Sequence, residues 1–398
     1  MVNEAVESFT RAEACATEEK DLESAAQYSA AMGLLLLSEQ RYSEALAAYD
    51  RAVSRLPCSE EVWAARGEAL CELGRFEEAL DSQRKAIDLC SGPDPGLLYN
   101  VALTYAGMGD ADGCGKALQK ALDADRMQVM AIVQNFDGDG ELFAQRRQDE
   151  AAFLTRRLQE ADGDSERRRW QRLKEVVTAL RQLEEDPAWL RDRLLDSASG
   201  RNQTAYGSTW IESFCHLADA GSLYCTGTAP QQMVVFGSSI GWQCFLGHLH
   251  LGYAPCRGFE ILASQVQAAQ RLAEELGLED GVEFRCQDAL EADVSEAGLV
   301  WLNTYAWPAE VKQRVAQKLL QELPEGSQVV SYEPIPTAGL CWQGRHLRLK
   351  ASVNLEASWD PELTAEVHVF TLRTVYLVQM KKTAHIWPPK PHKTLPRP

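Results

Sequence analysis

Residues 233–260 read MVVFGSSIGWQCFLGHLHLGYAPCRGFE, and their order decides the fold of the second half of the chain. Met233 to Phe236 is a short apolar run suited to a strand buried on both faces. Gly237, Ser238, Ser239 and Gly241 let the backbone turn tightly, so that a ligand can rest against bare amides. Trp242 to Leu251 is a helix-length stretch closed by Gly252, and Ala254 to Phe259 supplies the next strand. Glu260 therefore emerges at a strand's carboxyl end, where a carboxylate can accept both hydroxyls of a ribose.

A dinucleotide site would place G-x-G-x-x-G here, but in that frame the chain offers Gly237, Ser239 and Trp242. Nicotinamide and flavin dinucleotides are thereby disfavoured, because no glycine-lined path leads a pyrophosphate to the helix N-terminus. A nucleoside without phosphates, such as S-adenosylmethionine, tolerates the looser turn. Strand, turn, helix and strand also recur in buried α/β crossovers that bind nothing, so this segment alone leaves both readings open.

The downstream order separates them. Ala263 to Leu276 is an amphipathic helix closed by Gly277, and Val282 to Cys286 is a strand followed by Gln287 and Asp288, placed to meet an adenine edge. The strand Leu299 to Leu302 runs into Asn303, Thr304, Tyr305, Ala306, Trp307 and Pro308, and a helix over Ala309 to Leu323 precedes the strand Gln328 to Tyr332. Alternating β and α at this spacing predicts a parallel, doubly wound sheet. His346 to Val353 and Val367 to Met380 read as strands with no helix between them, so the sheet should end in an antiparallel hairpin. This is the outline of class I methyltransferases.

LVWLNTYAWPAEVKQRVAQKLLQELPEGSQVVS, from Leu299 to Ser331, resembles the signature of the non-SET histone-lysine methyltransferases called disruptor of telomeric silencing. Asn303, Tyr305, Ala306, Trp307, Pro308, Glu310, Val311, Glu325, Gly326, Val330 and Ser331 fall in its register, as do Tyr206-Gly207, Gly258-Phe259-Glu260 and Ser358-Trp359. The resemblance covers roughly the last half of the chain. It implies S-adenosylmethionine as cofactor, with Tyr206, Gly237, Ser239, Gly241, Glu260, Gln287 and Asp288 around it. It also implies Asn303 beside the sulfonium and the substrate nitrogen, with Tyr305 and Trp307 walling the channel. From spacing alone, Asn303 caps a turn and the two aromatic residues pack in a core. Three positions depart from the family. Val235 and Ser208 stand where acids are usual, and Ser239 replaces a glycine. A methyltransferase-like scaffold without catalysis is therefore a second reading, and a small-molecule N- or O-methyltransferase a third.

The first third carries a different signal. Gly33, Tyr42, Ala45 and Ala52 recur as Gly67, Phe76, Ala79 and Ala86, each 34 residues later, and after one extra residue near Gly92 to Pro95 the phase continues through Tyr105, Gly109 and Ala121 in Tyr99 to Ala124. This resembles the tetratricopeptide repeat, in which small residues let paired helices approach and three repeats make a superhelix with a concave face. Leu34, Glu61, Glu68, Tyr99, Asn100 and Leu103 are the candidate lining for a protein or peptide partner. No Lys or Arg falls on the inner positions, so a cationic clamp for a terminal carboxylate is not expected. The helix Ala151 to Glu160 could instead fill the groove internally.

The fold class expected is therefore α plus α/β: an all-α tetratricopeptide superhelix over 1–126, a charged helical connector over 127–202, a Rossmann-like methyltransferase sheet with an antiparallel end hairpin over 203–382, and a Pro-rich basic tail over 383–398. The chain has 398 residues, 45% of them hydrophobic, enough for two packed cores. Asn135 to Leu142 imitates half of a calcium loop, but its twelfth position is Arg146, so a plain interhelical loop and no metal site are expected. Arg167, Arg168 and Arg169 are answered by Glu175, Glu184, Glu185 and Asp186, which reads as a solvated face. The 11 cysteines lack a C-x-x-C pair, no secretory signal is read and no apolar run spans a bilayer, which together suggest an intracellular protein, cytoplasmic or nuclear. A net charge of −18 opposes direct nucleic-acid binding and favours a basic protein substrate.

Overall fold

The computed structural model describes residues 2–134, 139–198, 210–227, 231–303, 307–335, 345–357 and 360–374. Tyr206, Ser208, Tyr305, the Asn135 to Gly138 stretch, Ser358-Trp359 and the tail lie outside the described residues. The chain opens with α1 (Val2–Glu18) and three helical hairpins: α2 (Leu22–Ser38) with α3 (Tyr42–Arg55), α4 (Glu60–Glu72) with α5 (Phe76–Leu89), and α6 (Pro95–Gly107) with α7 (Ala111–Ala124). Asp21, Ser59, Asp94 and Asp110 each accept a backbone N–H from the first turn of the helix that follows them. Ala45, Ala52, Ala79, Ala86 and Ala121, the small residues of the repeat, are completely buried where the helices cross. Met32, Leu36, Tyr49 and Leu70 make the apolar core of the first two hairpins.

Four helices follow: α8 (Arg126–Val133), α9 (Gly140–Glu160), α10 (Asp164–Glu184) and α11 (Pro187–Ala198). Arg167 and Arg168 are exposed, as their charge predicts. The opposite face of α10 is buried through Trp170, Leu173, Val176, Val177 and Leu180, a helical period that the surrounding charges mask. Across α6 and α7 lies α11.

The remaining elements are α12 (Ile211–Gly221), β1 (Gln232–Phe236), α13 (Trp242–Leu246), β2 (Cys256–Glu260), α14 (Ala263–Glu275), β3 (Val282–Cys286), β4 (Ala297–Leu302), α15 (Ala309–Glu322), β5 (Gln328–Ser331), β6 (Arg345–Ala357) and β7 (Asp360–Thr374). They build one sheet in the order β3-β2-β1-β4-β5-β7-β6. Neighbours from β3 to β5 are parallel, and β7 runs antiparallel to both β5 and β6. The Rossmann-like sheet and its end hairpin are as the sequence predicts. The helix expected over Trp242 to Leu251 differs: α13 gives way to a π-helical turn, Gly247–Leu251. Gly247 lies against Met233 of β1, where a Cβ would collide with the thioether sulfur, so this helix packs closer than a side chain would permit.

Strand residues alternate between two cores. Val234, Phe236, Val300 and Leu302 face Val315 and Leu319 of α15. Met233, Val235, Leu299 and Trp301 face the other way, into a cluster that runs through Phe214, Trp170 and Leu173 to Ala102 and Tyr99 in the third hairpin. The helices of 127–202 thus share a core with the sheet on one side and with the third repeat on the other. No helix among the described residues is long and apolar enough to cross a membrane.

In the π-helical turn, His250 is buried with ring centroids 5.4 Å from Trp170, 6.2 Å from Phe214 and 5.6 Å from Tyr224. Its Nε2 lies 3.3 Å from the Tyr224 hydroxyl, which donates to Asp219 at 2.6 Å. Burial lowers the imidazole pKa to about 4, Arg169 and Arg157 add to the effect, and Asp219 opposes it.

Two outcomes follow from this packing. Ala79→Trp should destabilise the full chain by about 1–3 kcal/mol through overpacking, read by urea unfolding; a variant as stable as the parent would show that the crossing tolerates bulk. For His250 the folded pKa lies below the unfolded one, so its contribution to stability is present above pH 6.5 and is lost as pH falls toward 4. The loss reaches about 3 kcal/mol. Unfolding curves of wild type and His250→Phe between these pH values should diverge by that amount, and parallel curves would mean that the imidazole takes up its proton without penalty.

Candidate functional site

The strand order reverses between β1 and β4, and it is outside the carboxyl ends at such a reversal that open α/β sheets hold a ligand crevice. The turn that leaves β1 lines it. Gly237, Ser239 and Gly241 have φ of +70°, +48° and +94°. Gly241 is obligatory, because a Cβ there would sit 2.5 Å from the Phe284 ring. Ser239 holds a left-handed conformation at a cost of about 1–2 kcal/mol. Its hydroxyl donates to Gln265 Oε1 at 3.3 Å and its amide to Glu260 Oε2 at 3.1 Å, which offsets that cost.

Glu260, the last residue of β2, also accepts from the amides of Ile261 at 2.8 Å and Leu262 at 3.2 Å through Oε1. Burial raises its pKa above the ordinary carboxylate value, while the three amides pull it down. Oε2 receives one of these bonds, which leaves it acceptor capacity for a hydroxyl. From the end of β4, Asn303 donates its amide nitrogen to Gly237 O at 2.9 Å and to Gln243 Oε1 at 3.2 Å, tying the two strand ends together. The Trp307 ring borders Gly237, with Cζ2 3.7 Å from where a Cβ would stand. Gly237, Ser239, Gly241, Glu260, Asn303 and Trp307 are therefore brought together at the carboxyl ends of β1, β2 and β4.

The other residues singled out in the sequence have different placements. Gln287 joins the rim by donating its backbone N–H to Glu260 O at 3.0 Å. Asp288 is exposed and caps the short turn Ala289–Glu291 by accepting from Leu290 N at 2.9 Å. Val235 is completely buried in the sheet core. Tyr206 and Tyr305 lie outside the described residues.

In the repeats, Leu34 and Leu103 are 64% and 42% exposed, Glu61 and Glu68 are open to solvent, and Asn100 is half-buried. Tyr99 requires a correction. It is buried, with its hydroxyl against Arg193 of α11, because that helix covers the third hairpin. Sequence reading missed Gln243 and Gln265, both buried under the turn. Gln243 was visible as a lone amide in the apolar run after Gly241.

The tetratricopeptide repeat family profile matches residues 60–92 and 95–126. A search of curated proteins finds no match. The C-terminal region is similar in structure to S-adenosylmethionine-dependent methyltransferases. An RNA methyltransferase from Salinibacter ruber, solved with S-adenosyl-L-homocysteine, is 26% identical over 41% of this chain and 92% of its own, with a TM-score of 0.32. A geranyl diphosphate methyltransferase solved with GPP and sinefungin is 14% identical over 40% and 78%, with a TM-score of 0.31. A methyltransferase from Thiobacillus denitrificans, solved with S-adenosyl-L-homocysteine, is 19% identical over 38% of this chain and about half of its own (54%), with a TM-score of 0.27.

Glu260→Ala strips the acceptor from three amides at once. Urea unfolding should register a loss of about 1–3 kcal/mol, and amide exchange at Ser239, Ile261 and Leu262 should accelerate. Unaltered exchange at those amides would show that water replaces the carboxylate without consequence.

Proposed function

We propose that the chain is an S-adenosylmethionine-dependent methyltransferase that methylates lysine on a basic protein, with the repeats engaging a partner or the substrate. The observation that carries this reading is the left-handed turn Gly237 to Gly241 stitched to the Glu260 carboxylate, at the point where the strand order reverses. The N–H groups of Gly237, Ser238, Ser239 and Gly241 are taken up by Phe259 O, Glu260 and Ser238 O, so the bare amides expected from the sequence are not free; what the turn offers a nucleoside is a close, glycine-lined backbone surface, and Glu260 adds an acceptor for ribose hydroxyls. When bound, the cofactor supplies a methyl group on an electrophilic sulfonium. In this reading Glu260 orients the nucleoside, Asn303 fixes the floor of the crevice through Gly237, and Trp307 keeps water from the approach. The lysine preference is supported by the family register around Asn303 and by the net charge of −18, which attracts a basic chain.

One observation favours a scaffold that binds without transferring. Val235, where the related enzymes usually carry an acid, is sealed in the core and offers no carboxylate to an ammonium group.

Calorimetric titration of the full chain should show binding of S-adenosylhomocysteine and none of NAD. No binding at millimolar ligand would end the enzyme reading, and binding with no labelled methyl transferred to a basic protein selects the scaffold. For Asn303→Ala, the single-turnover rate at saturating cofactor should fall at least about tenfold, or about 1.4 kcal/mol, with the melting temperature nearly unchanged. A full saturated rate, with affinity and melting temperature falling together, would confine Asn303 to holding the turn. The rate should also climb with pH as the substrate amine, with a reference pKa of about 10.4, loses its proton.

A further inference from the structure

We infer that Arg181 and Glu184 of α10 are positioning residues for the Gly237 to Gly241 turn, acting on it through Trp242; the functional part of this inference rests on the nucleoside reading of that turn. One helical turn apart, both are buried beside the start of α13, with 4% and 0% of their surface exposed. Arg181 donates through Nε and Nη2 to the two oxygens of Glu150 on α9, at 2.8 and 2.9 Å, and through Nη1 to Glu184 Oε2 at 3.0 Å. Its guanidinium lies between two indoles, with centroids 4.5 Å away at Trp210 and 4.3 Å away at Trp242. Glu184 Oε1 accepts the Trp242 indole N–H at 2.9 Å.

Trp242 directly follows Gly241, the last left-handed residue of the turn, and is the first residue of α13. An indole that is both stacked on a fixed cation and bonded to a fixed carboxylate is held in one rotamer. Its backbone is then fixed as well, and with it the path of the Ser238 to Gly241 turn, whose Ser238, Ser239 and Gly241 amides bond Phe259 O, Glu260 and Ser238 O. An apolar core would hold the same ring less specifically, because packing alone fixes no acceptor for the N–H. The geometry therefore makes the helical connector, through these two charges, part of the machinery that shapes the ligand-facing turn.

Trp242→Phe keeps a ring over Arg181 and removes the N–H that reaches Glu184. Leu118→Ala, a cavity variant in α7 remote from the turn, serves as the stability control. Both are made in the full chain and compared well below their melting temperatures. The expected result is that Trp242→Phe weakens S-adenosylhomocysteine binding at least tenfold and speeds amide exchange at Ser238, Ser239 and Gly241 at least tenfold in the unliganded protein. Leu118→Ala should leave both within twofold. Positioning is overturned if Trp242→Phe leaves turn exchange within twofold of wild type, or if Leu118→Ala accelerates it as much. Should the wild type bind no S-adenosylhomocysteine, the cofactor reading fails by itself, and the exchange comparison still decides whether the two charges hold the turn.

Discussion

A guanidinium shut away from water must be answered by opposite charge on more than one side, and the architecture of this chain is organised around one that is. Arg181 draws Glu150 from α9 and Glu184 from its own helix, and stacks on an indole at the start of α12 and another at the start of α13. The carboxylates are satisfied in turn. Glu150 accepts the Ile211 amide at 3.2 Å, and Glu184 accepts Gln134 at 3.2 Å with Arg147 at 3.6 Å. Removing one member of such a network leaves a buried charge uncompensated, at about 3–5 kcal/mol, whereas replacing the whole set by apolar residues can be neutral. Its contribution is therefore to geometry: the middle of α9, the last turn of α10 and the first residues at α12 and α13 have to arrive in register, or these bonds are not made.

The crevice at the carboxyl ends of β1 and β4 inherits that precision. Its floor is backbone, fixed from below by Asn303 and from the side by Glu260. Glu260 serves both sides of the turn, since the carboxylate that keeps Ser239 in a left-handed conformation through Oε2 also accepts the Ile261 and Leu262 amides through Oε1. Ser239 shows how a left-handed position can do without glycine, because local hydrogen bonds to Glu260 and Gln265 offset the conformational cost.

Much of this was legible in the sequence where the physics is local. The alternation of apolar runs and amphipathic helices fixes strand identity, a terminal acid after a strand marks Glu260, and a 34-residue phase of small residues, with one extra residue before the third copy, marks the helical hairpins. What was illegible involves partners distant in the chain. Arg181 and Glu184 sit among Arg167, Arg169, Glu175 and Glu185, and nothing in their spacing separates buried charges from solvated ones. The same masking hid the buried stripe from Trp170 to Leu180. Tyr99 looked like groove lining because its repeat position is inward, and only the docking of α11, which follows no repeat period, removes it. The π-helical turn was missed because Gly247 sits inside a helix for the sake of Met233, a contact with no signature in the helix itself.

The boundary between cores does not coincide with the boundary between repeats. Residues of α2 to α5 close their own apolar cluster, whereas Tyr99, Ala102 and Ala106 of α6 belong to the cluster that continues into the sheet. Between them runs a polar seam, where Gln83 bonds Thr104 at 2.8 Å and the Asn100 carbonyl at 3.3 Å. Modular exchange in such a chain would follow cores rather than motifs. The first two hairpins form one such unit, with the junction in the turn before Pro95. The third hairpin, a repeat by sequence, travels with the sheet as its outermost layer.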